Sequence, residues 1–238
     1  VIPSKYGVFY SIAYFFFDEL NRRFANMDVN GGLWSYSDKG GPEGMEFSPN
    51  NIRHHLIYFG LNNIARTPIG YAIFEDADTP GKHYLYTLDL DPNIMNNPIL
   101  EVTEVASDSK FNRANLYATN ELQARVIYCV TDNQLYMYDV DQNKEEPLSP
   151  QGFESGEEIT YICNYYWTQA NDKDNNFNYL VIGTYNAGKY KVYFYETLGG
   201  KPSGKPVRIL TGEGKVVKMR FASSKMNEES GDYYPASF

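Results

Sequence analysis

The feature that most constrains this chain is that its strand-forming segments repeat. Residues 126–141 (VIYCVTDNQLYMYDVD) give an apolar run, a short Asp-Asn turn and a second run that alternates at period two and ends in acid. Residues 179–197 (YLVIGTYNAGKYKVYFYET) follow the same plan. Leu135, Tyr136, Met137, Tyr138 and Asp139 align with Val192, Tyr193, Phe194, Tyr195 and Glu196 at an offset of 57. The same offset carries Glu158, Ile159, Thr160 and Ile162 onto Lys215, Val216, Val217 and Met219. Upstream, Leu85, Tyr86, Leu88, Asp89 and Asp91 align with Leu135, Tyr136, Tyr138, Asp139 and Asp141 at an offset of 50. A looser match at 61 brings in Phe24, Met27 and Asp28.

Period-two alternation is the periodicity of a strand. Turns of Asp, Asn and Gly, and Pro/Gly loops such as 145–152 and 199–206, separate the runs. No long stretch has helical periodicity, and 107–125 reads as a loop with a short strand at 114–118. Sequential short strands in units of about 50–60 residues are the pattern of β-propeller blades. The fold expected is all-β and β-propeller-like, with about four repeated antiparallel blades; the count also suits part of a larger ring. The alternative is a β-sandwich, which uses similar strands. The units fall at approximately 1–50, 51–118, 119–167 and 168–222, within a single repeat domain of residues 1–222. Residues 223–238 form a polar, irregular tail.

Composition narrows the function classes. Thirty acidic against 21 basic residues leave a formal charge of −9, which argues against binding to a nucleic-acid backbone. Two cysteines exclude a multi-cysteine zinc module. The longest apolar run, near 7–17, is far short of the roughly 20 residues of a membrane-spanning helix, so no transmembrane segment is expected in this chain. The chain opens at Val1, as expected of a processed chain or a fragment. With 22 Tyr and 14 Phe it has ample apolar surface for a core.

Four segments carry a family resemblance: NLYATNELQARVIYCVTDNQLYMYDVD (115–141), GEEITYI (156–162), VIGTYNAGKYKVYFYE (181–196) and GEGKVVKMRFA (212–222). They resemble the C-terminal, propeller-like region of PKD-like family lipoproteins of the Bacteroidota, and GYAIFED with HYLYTLDLD (70–91) is similar to the part before it. The resemblance covers about 50–222 and implies a cell-envelope protein, outer-membrane-associated, periplasmic or surface-exposed, beside nutrient-uptake machinery. It carries no functional residue across, and the lipobox cysteine and PKD-like domains of the family are not in this sequence.

The search for chemistry yields no catalytic residues, metal site or cofactor. His54 and His55 are adjacent, so on a strand they face opposite ways, and His83 stands apart. Cys129 and Cys163 lie in strand-like runs; the alternatives are a bridge between strands and two buried thiols. Alternating acids and amides at 139–145, 172–178 and 89–93 imitate the start of a calcium loop. They lack its Gly at the sixth position and its final Glu, and they read as turn formers. Pairs such as Glu157–Glu158 and Glu145–Glu146 are expected in any acidic chain. No nucleophile elbow or phosphate-binding Gly motif is present.

Aromatic side chains remain as the binding candidates. Trp34 and Tyr36 lie in a Gly-rich loop, and Tyr165, Tyr166 and Trp167 lie where a strand meets a polar loop; flat faces with polar tips suit sugars or proteins. The expected function is a non-catalytic binding or scaffold protein of the cell envelope, its partner a glycan or an envelope protein. The alternative is a carbohydrate-active enzyme with a carboxylate pair at the propeller centre.

Overall fold

In the computed structural model, residues 56–60, 69–76, 78–89, 100–120, 124–165 and 178–219 are described with their side chains, and other strand segments by backbone alone. The chain divides into two compact units, residues 1–112 and 113–238.

Unit one holds two four-stranded antiparallel sheets, each a meander in chain order. The first comprises β1 (Ile12–Asp18), β2 (Arg23–Asp28), β3 (Leu33–Ser37) and β4 (Pro42–Met45). The second comprises β5 (His54–Asn62), β6 (Ile69–Asp76), β7 (His83–Asp89) and β8 (Ile99–Glu104). Successive residues Tyr71, Ala72, Ile73 and Phe74 of β6 are all buried, so both faces of this strand are covered. The β6–β7 turn is held by Asp76, whose Oδ1 accepts from the N–H groups of Asp78 (2.8 Å) and Thr79 (3.2 Å).

Unit two repeats the plan. The third sheet comprises β9 (Leu116–Thr119), β10 (Val126–Thr131), β11 (Gln134–Asp139) and β12 (Lys144–Leu148). The fourth comprises β13 (Glu158–Gln169), β14 (Asp172–Asn186), β15 (Lys189–Leu198), β16 (Lys201–Pro202) and β17 (Arg208–Glu213), with β16 and β17 both on β15. Two short strands, β18 (Lys225–Met226) and β19 (Tyr233–Tyr234), pair with each other.

The third and fourth sheets pack face to face. Tyr128, Val130, Leu135 and Met137 of one meet Ile162, Leu180, Ile182 and Tyr193 of the other in a single buried cluster. Each fully buried aliphatic side chain there contributes about 1.5–3 kcal/mol. The first strands, β9 and β13, run side by side. Sequential four-stranded meanders that stack with their first strands adjacent are propeller-like blades. The all-β, propeller-like expectation holds.

The turns β10–β11 and β14–β15 are two-residue loops. Asp132 and Asn133 have φ of 54° and 61°, Ala187 and Gly188 of 48° and 86°. Positive φ at both central residues marks type I′ turns, whose twist suits a hairpin. These tips lie 55 residues apart, whereas the pattern alignment of the same hairpins used 57. A slip of two leaves every side chain on its own face, so alternation alone does not detect it. The phase of the sheets also differs from that of the sequence units: residues 159–167 open the fourth sheet, and β9 opens the third.

Candidate functional site

The fourth sheet is built on an unusually long hairpin. Strands β13 and β14 pair from Glu158↔Tyr185 to Gln169↔Asp172, while β15 pairs β14 only from Asn186↔Lys189 to Tyr179↔Glu196. Beyond Asn178, among the described residues, only β13 and β14 pair, with Trp167↔Phe177 and Thr168↔Asn176 in register. At about 3.4 Å per residue this arm extends on the order of 10 Å. The acidic and amide run 172–178, expected to be loop, is therefore strand. A two-stranded arm closes its backbone hydrogen bonds across the hairpin and needs no buried face, so a polar sequence can form it.

The sequence candidates fall into two groups. Tyr165, Tyr166 and Trp167 lie together on β13, where it leaves the sheet. Tyr165 and its register partner Tyr179 are half-buried and stacked, with centroids 6.4 Å apart at 17°. Burial raises both phenol pKa values. Trp34 and Tyr36 lie on β3, in register with Asn26 and Phe24 of β2. The side chains of Trp34, Tyr36, Tyr166 and Trp167 lie outside the described residues.

At the root of the arm is a polar network between the two sheets. Asn178, the register partner of Tyr166, donates from Nδ2 to Asn120 Oδ1 at 2.7 Å. Asn120 Nδ2 donates to the Tyr128 hydroxyl at 3.0 Å, and that hydroxyl donates to the Gly200 carbonyl at 2.6 Å. Thr197 Oγ1 donates to the Asn178 carbonyl at 3.1 Å. Asn178 is 2% exposed, and among the described residues its Oδ1 has no partner. Asn120 escaped the sequence reading; the only signal was an Asn directly after a strand.

At the other end of the same seam Glu157 is buried. Its two oxygens each accept from the Tyr193 hydroxyl at 2.8 Å, Oε1 accepts from Lys191 Nζ at 3.1 Å, and Oε2 accepts from the Glu154 N–H. Burial, then the bond to Glu157, pushes the Tyr193 phenol up to about 12. Glu154 and Glu157 together hold the Lys191 ammonium in its charged form. Its neighbour Glu158 is exposed and pairs with Lys215 at 3.0 Å. Glu157 and Glu158 thus serve separate partners.

The remaining polar candidates lie elsewhere in the sheets and turns. His83 is buried, with Nδ1 3.0 Å from Asn112 Oδ1. His54 and His55 are in register with Asp76 and Glu75 on β6. Asp139 Oδ1 accepts from the Gln142 N–H at 2.9 Å, and Asp141 pairs with Arg125, so this run is turn chemistry. Asp91 and Asn93 lie outside the described residues. Among the described residues no group of His, Cys, Asp and Glu could hold a metal ion. Cys129 and Cys163 do not bridge. Tyr128 and Val130 face the fourth sheet, so Cys129 between them points away from it, and Cys163 packs on the far face of the fourth sheet. Both sheets separate the two thiols.

No family model and no curated protein matches this chain. Solved structures do. The chain is similar to an auxiliary nutrient binding protein from Bacteroides thetaiotaomicron, at 14% identity and a TM-score of 0.48, over 94% of this chain and 46% of that one. It is also similar to the Pan2 WD40 domain of Neurospora crassa, at 12% identity and a TM-score of 0.44, over 87% and 51%. A third is the Dos1 propeller, at 11% identity and a TM-score of 0.47, over 90% and 51%. The chain spans about half the length of each. No helix among the described residues is long and apolar enough to cross a membrane.

Proposed function

We propose that this chain is a non-catalytic binding module of the bacterial cell envelope, and that the β13–β14 arm is its ligand contact. The observation that supports this is the arm itself: it runs past β15 and carries Tyr165, Tyr166 and Trp167 at the point where it leaves the sheet. A two-stranded extension with aromatic residues at its root offers flat, amphipathic surface for contact. The partner is a glycan or an envelope protein, and the setting is that of PKD-like family lipoproteins beside nutrient-uptake machinery. The name of the nutrient binding protein above sets which ligands are tried first.

A glycan array, followed by calorimetry on the hits, tests the reading. Trp167→Ala and Tyr165→Ala are expected to weaken binding about tenfold each, the loss of ~1.4 kcal/mol. Trp34→Ala and Tyr36→Ala, on a different sheet, report whether β3 shares the ligand. Binding unaffected by the β13 substitutions overturns the assignment to the arm. Release of shortened sugar products would instead make the protein a carbohydrate-active enzyme.

A further inference from the structure

The face of the fourth sheet turned away from the third has its own apolar cluster. Val181, Val192 and Phe194 are buried there, and Val216 and Met219 pack against them. Residues 214–219 run across this face. The Gly214 N–H donates to the Gly188 carbonyl at 2.8 Å. Thr160 Oγ1 donates to the Val216 carbonyl and the Tyr161 hydroxyl to the Met219 carbonyl, each at 2.8 Å. Lys215 pairs with Glu158.

This arrangement repeats the one between β13 and the third sheet. The repeat offset of 57 carries Ile159 and Ile162 onto Val216 and Met219. Ile159 and Ile162 are the residues through which β13 packs on the third sheet; Val216 and Met219 are the residues that pack on the fourth. The chain just before each segment also meets the hairpin turn of the preceding sheet: the Glu157 carbonyl accepts from Asn133 Nδ2, and the Gly214 N–H donates to the Gly188 carbonyl. Asn133 and Gly188 are the second residues of their turns, 55 residues apart, two fewer than the strand offset. Strand repeat and packing agree, and the turn contact falls at the same end of each segment.

We propose that residues 214–219 are the first strand of a fifth blade, lying beside β13 as β13 lies beside β9. Its outer edge receives the second strand of that blade, an antiparallel segment with apolar residues at alternate positions. In the third and fourth sheets the first strand pairs along its length with the second. Among the described residues no strand pairs with 214–219, and Val217 is 79% exposed. An open edge with an apolar side chain beside it is a template for an added strand.

Hydrogen exchange read by mass spectrometry tests this on the whole chain. The probe is a synthetic peptide of residues 178–198, the second and third strands of the fourth blade, with a scrambled peptide as control. The expected result is at least about tenfold slower exchange of the 215–219 amides with the native-order peptide alone, as a newly paired edge requires. Val217→Asp is expected to abolish that slowing while leaving the unfolding midpoint of the chain unchanged. Absence of slowing, or equal slowing by the scrambled peptide, overturns the proposal. Slowing that grows with the concentration of the chain itself, without peptide, places a second copy at the edge and also overturns it.

Discussion

The Tyr128 hydroxyl donates to the Gly200 carbonyl at 2.6 Å, tying the second strand of the third sheet to a turn of the fourth. Gly200 has φ +84°, and a Cβ there would lie 2.7 Å from Val126 Cγ2. Adjacent Gly199 has φ +57° with open space around it. Gly200→Ala combines left-handed strain with a clash in a packed seam and is expected to cost about 2–4 kcal/mol; Gly199→Ala carries the strain alone, about 1 kcal/mol. Tyr128→Phe removes the bond to the Gly200 carbonyl and the one from Asn120 Nδ2, and is expected to cost about 1–3 kcal/mol. Urea unfolding of the three variants checks the order.

Asn133 joins the sheets at the other end of the hairpin. Its Nδ2 donates to the Glu157 carbonyl at 2.8 Å, and its Oδ1 accepts from the Ile159 N–H at 2.6 Å. Asn133→Gly keeps the positive φ but loses both bonds, and is expected to cost about 1–3 kcal/mol. Asn133→Asp keeps the acceptor for Ile159 and should cost less, whereas Asn133→Ala loses the bonds and adds backbone strain. Equilibrium denaturation should rank them Asp, Gly, Ala in order of increasing damage.

Alkaline stability follows from the buried phenols. Burial first, then the Glu157 bond, brings Tyr193 to about 12, and burial brings Tyr86 to about 12. Burial also raises Tyr128 and Tyr195. An unfolded tyrosine titrates near ~10. Above that pH the unfolded chain has released protons that the folded chain retains, so rising pH favours unfolding. The contribution of these groups is complete below pH ~10 and falls as the pH climbs toward ~12. Denaturant midpoints should be flat from pH ~8 to ~9.5 and drop beyond, with the phenolate absorbance appearing alongside unfolding. A midpoint that holds steady to pH ~11.5 would contradict this.

Cys129 is fully buried, and burial, with the Glu145 charge adding to it, pushes its thiol pKa up. Reaction requires the thiolate and access. Native protein at pH ~8 is expected to leave Cys129 unlabelled by a maleimide until denaturant is added. Peptide mapping should recover Cys129 and Cys163 on separate, unbridged peptides.

The strands and their alternation were legible in the sequence, because a half-buried strand must alternate. Alternation also set the limit. It has a period of two, so it fixes the face of Leu135 or Val192 but not the register, and the turn tips stand 55 residues apart where alternation allows 57 equally well. The aromatic group at Tyr165, Tyr166 and Trp167 was visible as composition. That it sits where the β13–β14 hairpin runs on past β15 was decided by where β15 stops pairing with β14, a partner far away in sequence. Asn120, Asn178, Tyr128 and Gly200 show the same division. Each is ordinary in its local sequence, and only the stacking of two sheets makes them one network, because hydrogen bonds between side chains far apart in the chain leave no periodic trace.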